Sequence, residues 1–373
     1  MNTPRVTHVV VSLACGGLER LVVDWANARN ARAPGATRIV CLDEAGELSA
    51  DVQGGVIVLG AQRARRPFDV AAVRRLRRAA AETDVLHSHN LAAQQYAVLA
   101  NVCRGVRHVH TEHGSRTHLA GVANRVRNRL LARFTDVLVA VSDATAESVS
   151  VEQGVPRERI RVIRNGVTPH RAAAPDERGE LRARLGLSPG ACVVGSIGRL
   201  DPVKGYDRLL RAFAAAVAGR VADTGTPLTL LLVGDGAERL ALERQAADLG
   251  IAASVRFAGF RPDARRCLDV MDVFVLPSRS EGLSVALLEA MSAGVPVMAT
   301  AVGETARVLE DGAAGVLLPD DDRQWVPMLS ACIRPDGAAE RAAMTARSLS
   351  RVAEAYSLEA TLDAYERAYG GES

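Results

Sequence analysis

Short apolar runs alternate with longer helical patterns over nearly the whole 373-residue chain, and the alternation stops once and restarts. Runs at 7–13, 37–43, 55–60, 84–90, 107–114, 136–142 and 161–167 predict strands, with helical patterns between most of them. Val, Ile and Leu on both faces of such runs mark a parallel sheet covered by helices, because a sheet with one wet face would alternate apolar and polar residues. Residues 168–191 break the series with three prolines, many charges and no apolar run. The first part of this segment predicts a linker and the second the opening helix of a new domain. Strand patterns resume at 192–200, 228–236, 255–260, 272–278, 296–302 and 315–320. Two tandem βαβ series predict an α/β chain of two facing, doubly wound Rossmann-like domains, residues 1–168 and 169–354.

No run of about 18 uncharged apolar residues argues for a membrane span. The N-terminus lacks the basic-then-apolar layout of a signal peptide, so the expected location is cytoplasmic. Six cysteines are scattered without the close spacing of a zinc or redox motif, which predicts reduced thiols and no metal. Charge is uneven. Residues 1–170 carry 23 Arg against 15 acidic residues and hold all eight histidines, whereas the remainder is net acidic. Opposite signs suggest different partners for the two halves.

In sheets of this kind ligands sit beyond the carboxyl ends of the strands, so the residues after each apolar run are the ones to inspect. Gly16 and Gly17 follow the first run and precede a helix, where backbone amides can approach an anion. The pattern is not the G-x-G-x-x-G of a dinucleotide site, which counts against a dehydrogenase. After the first run of the second domain comes "GRLDPVKG", with Arg199 and Lys204. Lys204 is the only lysine in the chain, although 46 residues are Lys or Arg. A chain that uses arginine everywhere else keeps a lysine where a compact point charge, not a planar fork, is required. Together the two cations can neutralise a diphosphate. "VGDG" places Gly234 at a further strand end.

The segment "LPSRSEGLSVALLEAMSAGVPVMAT" (276–300) carries Glu281 and Glu289. Read as one helix opened by Glu281, the two acids lie about 12 Å apart along the axis and about 80° apart around it. Glu281 would sit at the positive helix end, beside the free amides of Gly282, Leu283 and Ser284. Glu289, in an apolar helix, needs a partner, and a ribose diol would satisfy it. "HSHN" (87–90) and "HVHTEHG" (108–114) lack metal-site spacing, and His113, at a strand end, is the cleft candidate among the histidines. Finally, Arg125, Arg129 and Arg133 recur every fourth residue beside Val126, Leu130 and Phe134. With the basic cluster at 63–78, they can lie on an anionic membrane surface or form a solvated face. Nucleic acid is not expected, since the basic half has few aromatics for stacking and no recognisable binding motif.

In joint order, "GGLER", "VSDAT" (141–145), "IRNGV" (163–167), "GRLDPVKG", "VGDG", the 276–300 segment and "VGE" (302–304) resemble the retaining GT-B glycosyltransferases with an E-x7-E motif, those of group 1 and family 4. The resemblance spans most of the chain. It implies that Arg199 and Lys204 bind the diphosphate of a UDP- or GDP-sugar, that Glu289 holds the ribose, and that Glu281 with the amides of 282–284 holds the donor sugar. It implies that Gly16 and Gly17 approach the donor from the opposing domain, that His113 lies near the transferred sugar, and that a final helix (355–373) packs back on the first domain. No metal or cofactor is required, and front-face substitution is expected. Leu283-Ser284 departs from the residues common after "EG" in the family and leaves the donor sugar open. The acceptor expected is a glycan or lipid-linked molecule. Alternatives are a phosphorylase with a pyridoxal Schiff base on Lys204, and a non-catalytic nucleotide-sugar-binding protein.

Overall fold

The computed structural model describes residues 3–14, 16–61, 63, 68–114, 122–220, 227–333 and 337–371. The chain divides into two compact units, Met1–Gly166 with Leu358–Ser373, and Val167–Ser357. Sequence reading puts these divisions after residues 168 and 354. The structure moves both because the Val167 amide donates to the Tyr356 carbonyl at 2.9 Å and Val167 bridges Ser357.

Each unit is built on a parallel sheet. In the first, β1 (Val6–Val10), β2 (Thr37–Cys41), β3 (Val56–Val58), β4 (Val85–His89), β5 (Arg107–Glu112), β6 (Val137–Ala140) and β7 (Ile160–Val162) stand in the order β3-β2-β1-β4-β5-β6-β7. In the second, β8 (Cys192–Ile197), β9 (Leu228–Val233), β10 (Val255–Gly259), β11 (Val273–Leu276), β12 (Val297–Thr300) and β13 (Val316–Leu318) stand in the order β10-β9-β8-β11-β12-β13. Each strand overlaps the apolar run that predicts it, and the residues trailing each run form the loop beyond. Both sheets reverse strand order once, between β1 and β4 and between β8 and β11. A crevice opens at such a switch point, because the flanking connections leave to opposite sides.

The second unit has an aliphatic core. Helix Tyr206–Arg220 lays Leu209, Leu210 and Phe213 against β8 and β9, alongside Trp325 and Leu329. The first unit buries polar rings as well. Strand alternation sends His8 of β1, His87 and His89 of β4 and Thr111 of β5 to one face. There Trp25 of helix Gly17–Arg32 and Tyr365 and Tyr369 of helix Leu358–Gly370 pack against them. His87 is satisfied on both sides, by Tyr369 Oη at 2.8 Å and Thr111 Oγ1 at 2.8 Å, and Thr111 meets Tyr365 Oη at 2.9 Å. On the other face Ser88 Oγ lies 2.8 Å from His108 Nε2 and 3.0 Å from His110 Nδ1. Arg29, 2 % exposed, joins the two covering helices through Glu366 at 2.6 Å.

Burial makes these rings poor bases. It pushes His8 down to about 3, helped by the charge of Arg29, and His108 to about 3, helped by His110. Burial, with the neighbouring ring charges, also lowers His87 and His89 well below the ordinary imidazole value. The unfolded chain takes up protons on these rings below about pH 6.5, while the folded chain does not, so stability is complete above that pH and is lost as pH falls. The thermal midpoint is therefore expected to hold between pH 8 and 7 and to fall with growing slope from about pH 6.5 to 4. Each ring contributes about 1 kcal/mol per pH unit inside that window. A midpoint flat to pH 4 would show that the rings take up protons in the folded chain as readily as in the unfolded one.

Candidate active site

The loops after β8 and β11, on either side of the second switch point, bring Lys204 and Glu281 together. Asp201 accepts from the Val203 amide and starts a single 3₁₀ turn, Pro202–Lys204, which Gly205 closes at φ 67°. Lys204 Nζ donates to Glu281 Oε1 at 2.6 Å, and Ser278 Oγ donates to the same oxygen at 2.6 Å. The Glu281 side chain is 9 % exposed and that of Lys204 25 %. An ammonium has three donors, so this one is aimed by a nearly dry carboxylate with donors left for a second anion. Arg199 stands 65 % exposed, 3.1 Å from Asp201. An ion pair so open to water is worth little, and its guanidinium can move to a ligand at small cost.

Close backbone packing fixes these loops. A Cβ on Gly205 would strike the Pro277 carbonyl, and one on Gly303 the Glu281 carbonyl. Gly234, at φ 136°, presses on the Gly198 carbonyl, so contact between the ends of β8 and β9 by itself demands a glycine there. Arg279, not singled out by sequence reading, straps the loops. Its amide donates to Val203 O, one guanidinium nitrogen to Pro202 O, and both terminal nitrogens to Asp207 at 2.7 Å. Burial disfavours the Asp207 charge, yet Arg279 and Arg211 hold this carboxyl below its ordinary range. Ser278 was also missed. The only signal for either residue is its place in "PSRSEG", just past a strand end.

Glu281 does not open a helix. Helix Val285–Ser292 begins four residues later, where the Ser284 side chain accepts from the Leu287 amide. Gly282 is held instead by the Glu304 amide at 3.2 Å. The angular relation between the two acids therefore does not apply. Glu289 lies within the helix, half-buried, between Leu288 and Ala290 of its buried face. Leu283 and Ser284 are both buried.

The remaining candidates lie in the first unit. Cys15 falls outside the described residues. Gly16 is the N-cap of helix Gly17–Arg32 in extended backbone, and a Cβ there would meet only the end of the Glu19 side chain. His113 follows β5 half-buried, its Nε2 3.1 Å from His89 Nδ1. His8, His87 and His89 each offer a nitrogen within 4.8 Å of the others, the spacing of a potential metal site, although His87 already spends both nitrogens on Tyr369 and Thr111.

Helix Val122–Arg133 and the residue that follows it present Val126, Leu130 and Phe134 to solvent, each more than half exposed. The arginines beside them do not form a free row. Arg125 donates to the Val151 and Glu152 carbonyls and Arg129 to the Gly154 carbonyl at 2.7 Å, at the C-terminal end of the neighbouring helix Asp143–Gln153. Residues 64–67 of the other basic cluster lie outside the described residues. No helix among the described residues is long and apolar enough to cross a membrane.

Comparison with known proteins gives the family and the fold. Residues 15–171 match the model of Glycosyltransferase Family 4, and residues 191–334 that of Glycosyl transferases group 1. The D-inositol 3-phosphate glycosyltransferase of Rhodococcus erythropolis is 32% identical over 310 residues, 76% of this chain and 68% of its own. The chain belongs to this glycosyltransferase family. The enzyme of the same name from Mycobacterium marinum is 31% identical over 310 residues, and the match covers 77% of this chain but only 64% of that longer protein. In three dimensions the chain resembles Anabaena HepE, solved with UDP and glucose, with TM-score 0.81 and 22% identity over 98% of this chain and 99% of that one. That likeness is one of fold, GT-B.

In a family-4 chain built this way, Lys204→Arg should fail almost as fully as Lys204→Met. The planar fork is larger than an ammonium seated 2.6 Å from Glu281 Oε1, on a turn whose Gly205 is pressed against Pro277. Titration calorimetry across a panel of nucleotide sugars is expected to show affinity for the donor that binds reduced at least about tenfold in both variants, the scale of losing one charged hydrogen bond. Wild-type affinity in the arginine variant would make the lone lysine an accident of composition.

Proposed function

We propose that the protein transfers a sugar, with retention, from a UDP- or GDP-sugar to a glycan or lipid-linked acceptor used in cell-surface polysaccharide or glycolipid synthesis. The observation that carries this reading is the Lys204–Glu281 pair at the switch point of the second sheet. Lys204 and Arg199 would meet the diphosphate as its charge grows in the transition state, work that otherwise falls to a metal ion. Glu281, held by Lys204 and Ser278, would face the sugar hydroxyls. Glu289 would take the ribose diol. In front-face substitution the leaving phosphate oxygen accepts the proton of the incoming hydroxyl, so no protein nucleophile is needed. A pyridoxal phosphorylase fits less well, because an ammonium engaged by a carboxylate is a poor Schiff-base former.

The acceptor has two readings. Exposed Val126, Leu130 and Phe134 support docking on the cytoplasmic face of a membrane and a lipid-linked acceptor. The relatives named D-inositol 3-phosphate glycosyltransferases support a soluble phosphorylated polyol instead.

Product analysis by NMR is the direct test. An α-linked donor should give an α-linked product, with turnover persisting in excess chelator. Glu289→Gln should weaken free nucleotide and donor alike, whereas Glu281→Gln should spare the nucleotide and lower turnover. A β-linked product excludes retention, and equal loss of UDP binding in both variants refutes the division of roles.

Liposome sedimentation separates the acceptors. Leu130→Ser with Phe134→Ser leaves the carbonyl-bound Arg125 and Arg129 in place. It should lower partition onto anionic vesicles by about 2–4 kcal/mol, the worth of burying the exposed half or so of two such side chains. Wild-type protein that stays in the supernatant at low salt removes the membrane and favours the polyol.

A further inference from the structure

The basic cluster at 63–78 has no part in the site at the second switch point. Its second half folds as helix Val70–Ala79, which brings Arg74, Arg77 and Arg78 beside Arg104, from the turn after helix Asn90–Asn101. These four arginines and Ala81 line an open recess of about 490 Å³. It lies at the amino ends of β4 and β5, since the helix before β4 and the turn before β5 lead into those strands there. The strand ends that carry His89 and His113 are at the opposite edge of the sheet. We propose that this recess is a second anion site, one that takes a ligand bearing at least two phosphate charges, from a soluble phosphate ester or from a lipid headgroup.

The charge in the recess has no answer inside the chain. Among the described residues no carboxylate lines it. The acids nearest in sequence are turned elsewhere. Asp69 holds Arg75 at 3.1 Å, and Glu82 and Asp84 each stand 3.6 Å from Arg5. Arg74 and Arg78 have neither a hydrogen bond nor an ion pair among the described residues. Like charges four residues apart on one helix face destabilise the helix that carries them. A counter-ion from outside would remove that cost.

The competing account is that arginines gather here only to answer the negative end of the helix. Those carbonyls are already taken. Arg38 donates to Ala79 O at 3.2 Å, and Arg104 Nη2 donates to Ala80 O at 2.6 Å and to Ala81 O at 3.3 Å. These bonds fix Arg104 in the recess wall and keep bare carbonyls from repelling an anion. Its charge meets no carboxylate among the described residues, and its buried Nη1 has no acceptor there. Arg77 spends one nitrogen on Val102 O at 3.2 Å, which ties it to the end of the neighbouring helix and leaves other donors unused. Arg74 stands a turn before the helix end, out of the dipole's reach. Two cations are thus held in place, while Arg74 and Arg78, both exposed, can swing onto a ligand.

The number of charges selects phosphate. An arginine fork fits carboxylate and phosphate alike, but one carboxylate would leave most of the charge in the recess unmet. A phosphate monoester carries about 1.5–2 negative charges near neutral pH, so a diphosphate or a pair of phosphates matches the four arginines that line it.

Inorganic pyrophosphate is the probe, used on the full chain. It would also meet Lys204, so the reference protein is Lys204→Met, and the test protein adds Arg74→Gln and Arg78→Gln. Titration calorimetry should show pyrophosphate bound by the reference and held at least about tenfold more weakly by the triple variant, the scale of losing one charged hydrogen bond. Arg74→Lys with Arg78→Lys, which keeps the charge, should retain most of the affinity. Without ligand, Arg74→Gln with Arg78→Gln should melt no lower than wild type, because it relieves repulsion between like charges. Sedimentation with phosphatidylglycerol vesicles separates the two sources. Sedimentation that pyrophosphate reverses and the glutamine pair abolishes assigns a lipid headgroup, whereas pyrophosphate binding without sedimentation assigns a soluble phosphate ester. Three results overturn the proposal: no pyrophosphate bound by Lys204→Met, equal affinity in the triple variant, or a lower midpoint for the glutamine pair, which would give these arginines to the fold. None of them touches the donor reading, on which the Lys204 and Glu289 variants report separately.

Discussion

The second unit depends on backbone meeting backbone. At the carboxyl edge of its sheet, Gly234 presses on the Gly198 carbonyl, Gly236 on that of Leu200, Gly205 on that of Pro277 and Gly303 on that of Glu281. Each contact is closed to any residue with a Cβ, and together they draw the loops after β8, β9, β11 and β12 into one layer. Only in that layer can Lys204, on one loop, reach Glu281, on another, while Arg279 ties both to the helix that starts at Tyr206. The charged groups are thus held by backbone contacts together with the Arg279–Asp207 ion pair. A preorganised site of this kind has little reorganisation left to undergo when a ligand arrives.

Much of this was legible in the sequence, for identifiable reasons. The strands announced themselves because both faces of each sheet are covered, so apolar residues run on without alternation. Lys204 stood out because every other cation is arginine. The Glu281 loop was misread as helix because "EGLSVALLEAMS" is helical in pattern from its first residue, and what delays the helix is distant in sequence. Ser284 caps it, and Glu304, arriving from the loop after β12, holds Gly282. Gly234 was legible as a glycine at a strand end, but not as one required by a neighbouring strand.

The first unit shows the same limit in another form. The spacing of Arg125 and Arg129 told correctly that they share a side of a helix. It could not tell that carbonyls at the end of helix Asp143–Gln153 wait beside them. The apolar residues on the adjoining stripe, Val126, Leu130 and Phe134, stand in water beside them. The histidines were weighed against metal-site spacings, whereas their arrangement follows from strand register, since His8 stands opposite His87 and His89 opposite Thr111.

The route of the chain has a consequence for its synthesis. The first unit takes segments from both sides of the second, because Leu358–Gly370 supplies the tyrosines that close over His87 and Trp25. A ribosome that has released Gly166 has therefore made a sheet with one aromatic face still open, and it must complete all of Val167–Ser357 before the cover emerges. Domains commonly fold as units in the order they are made. Here the later unit, being contiguous, can finish first, and the earlier one must wait with its rings uncovered.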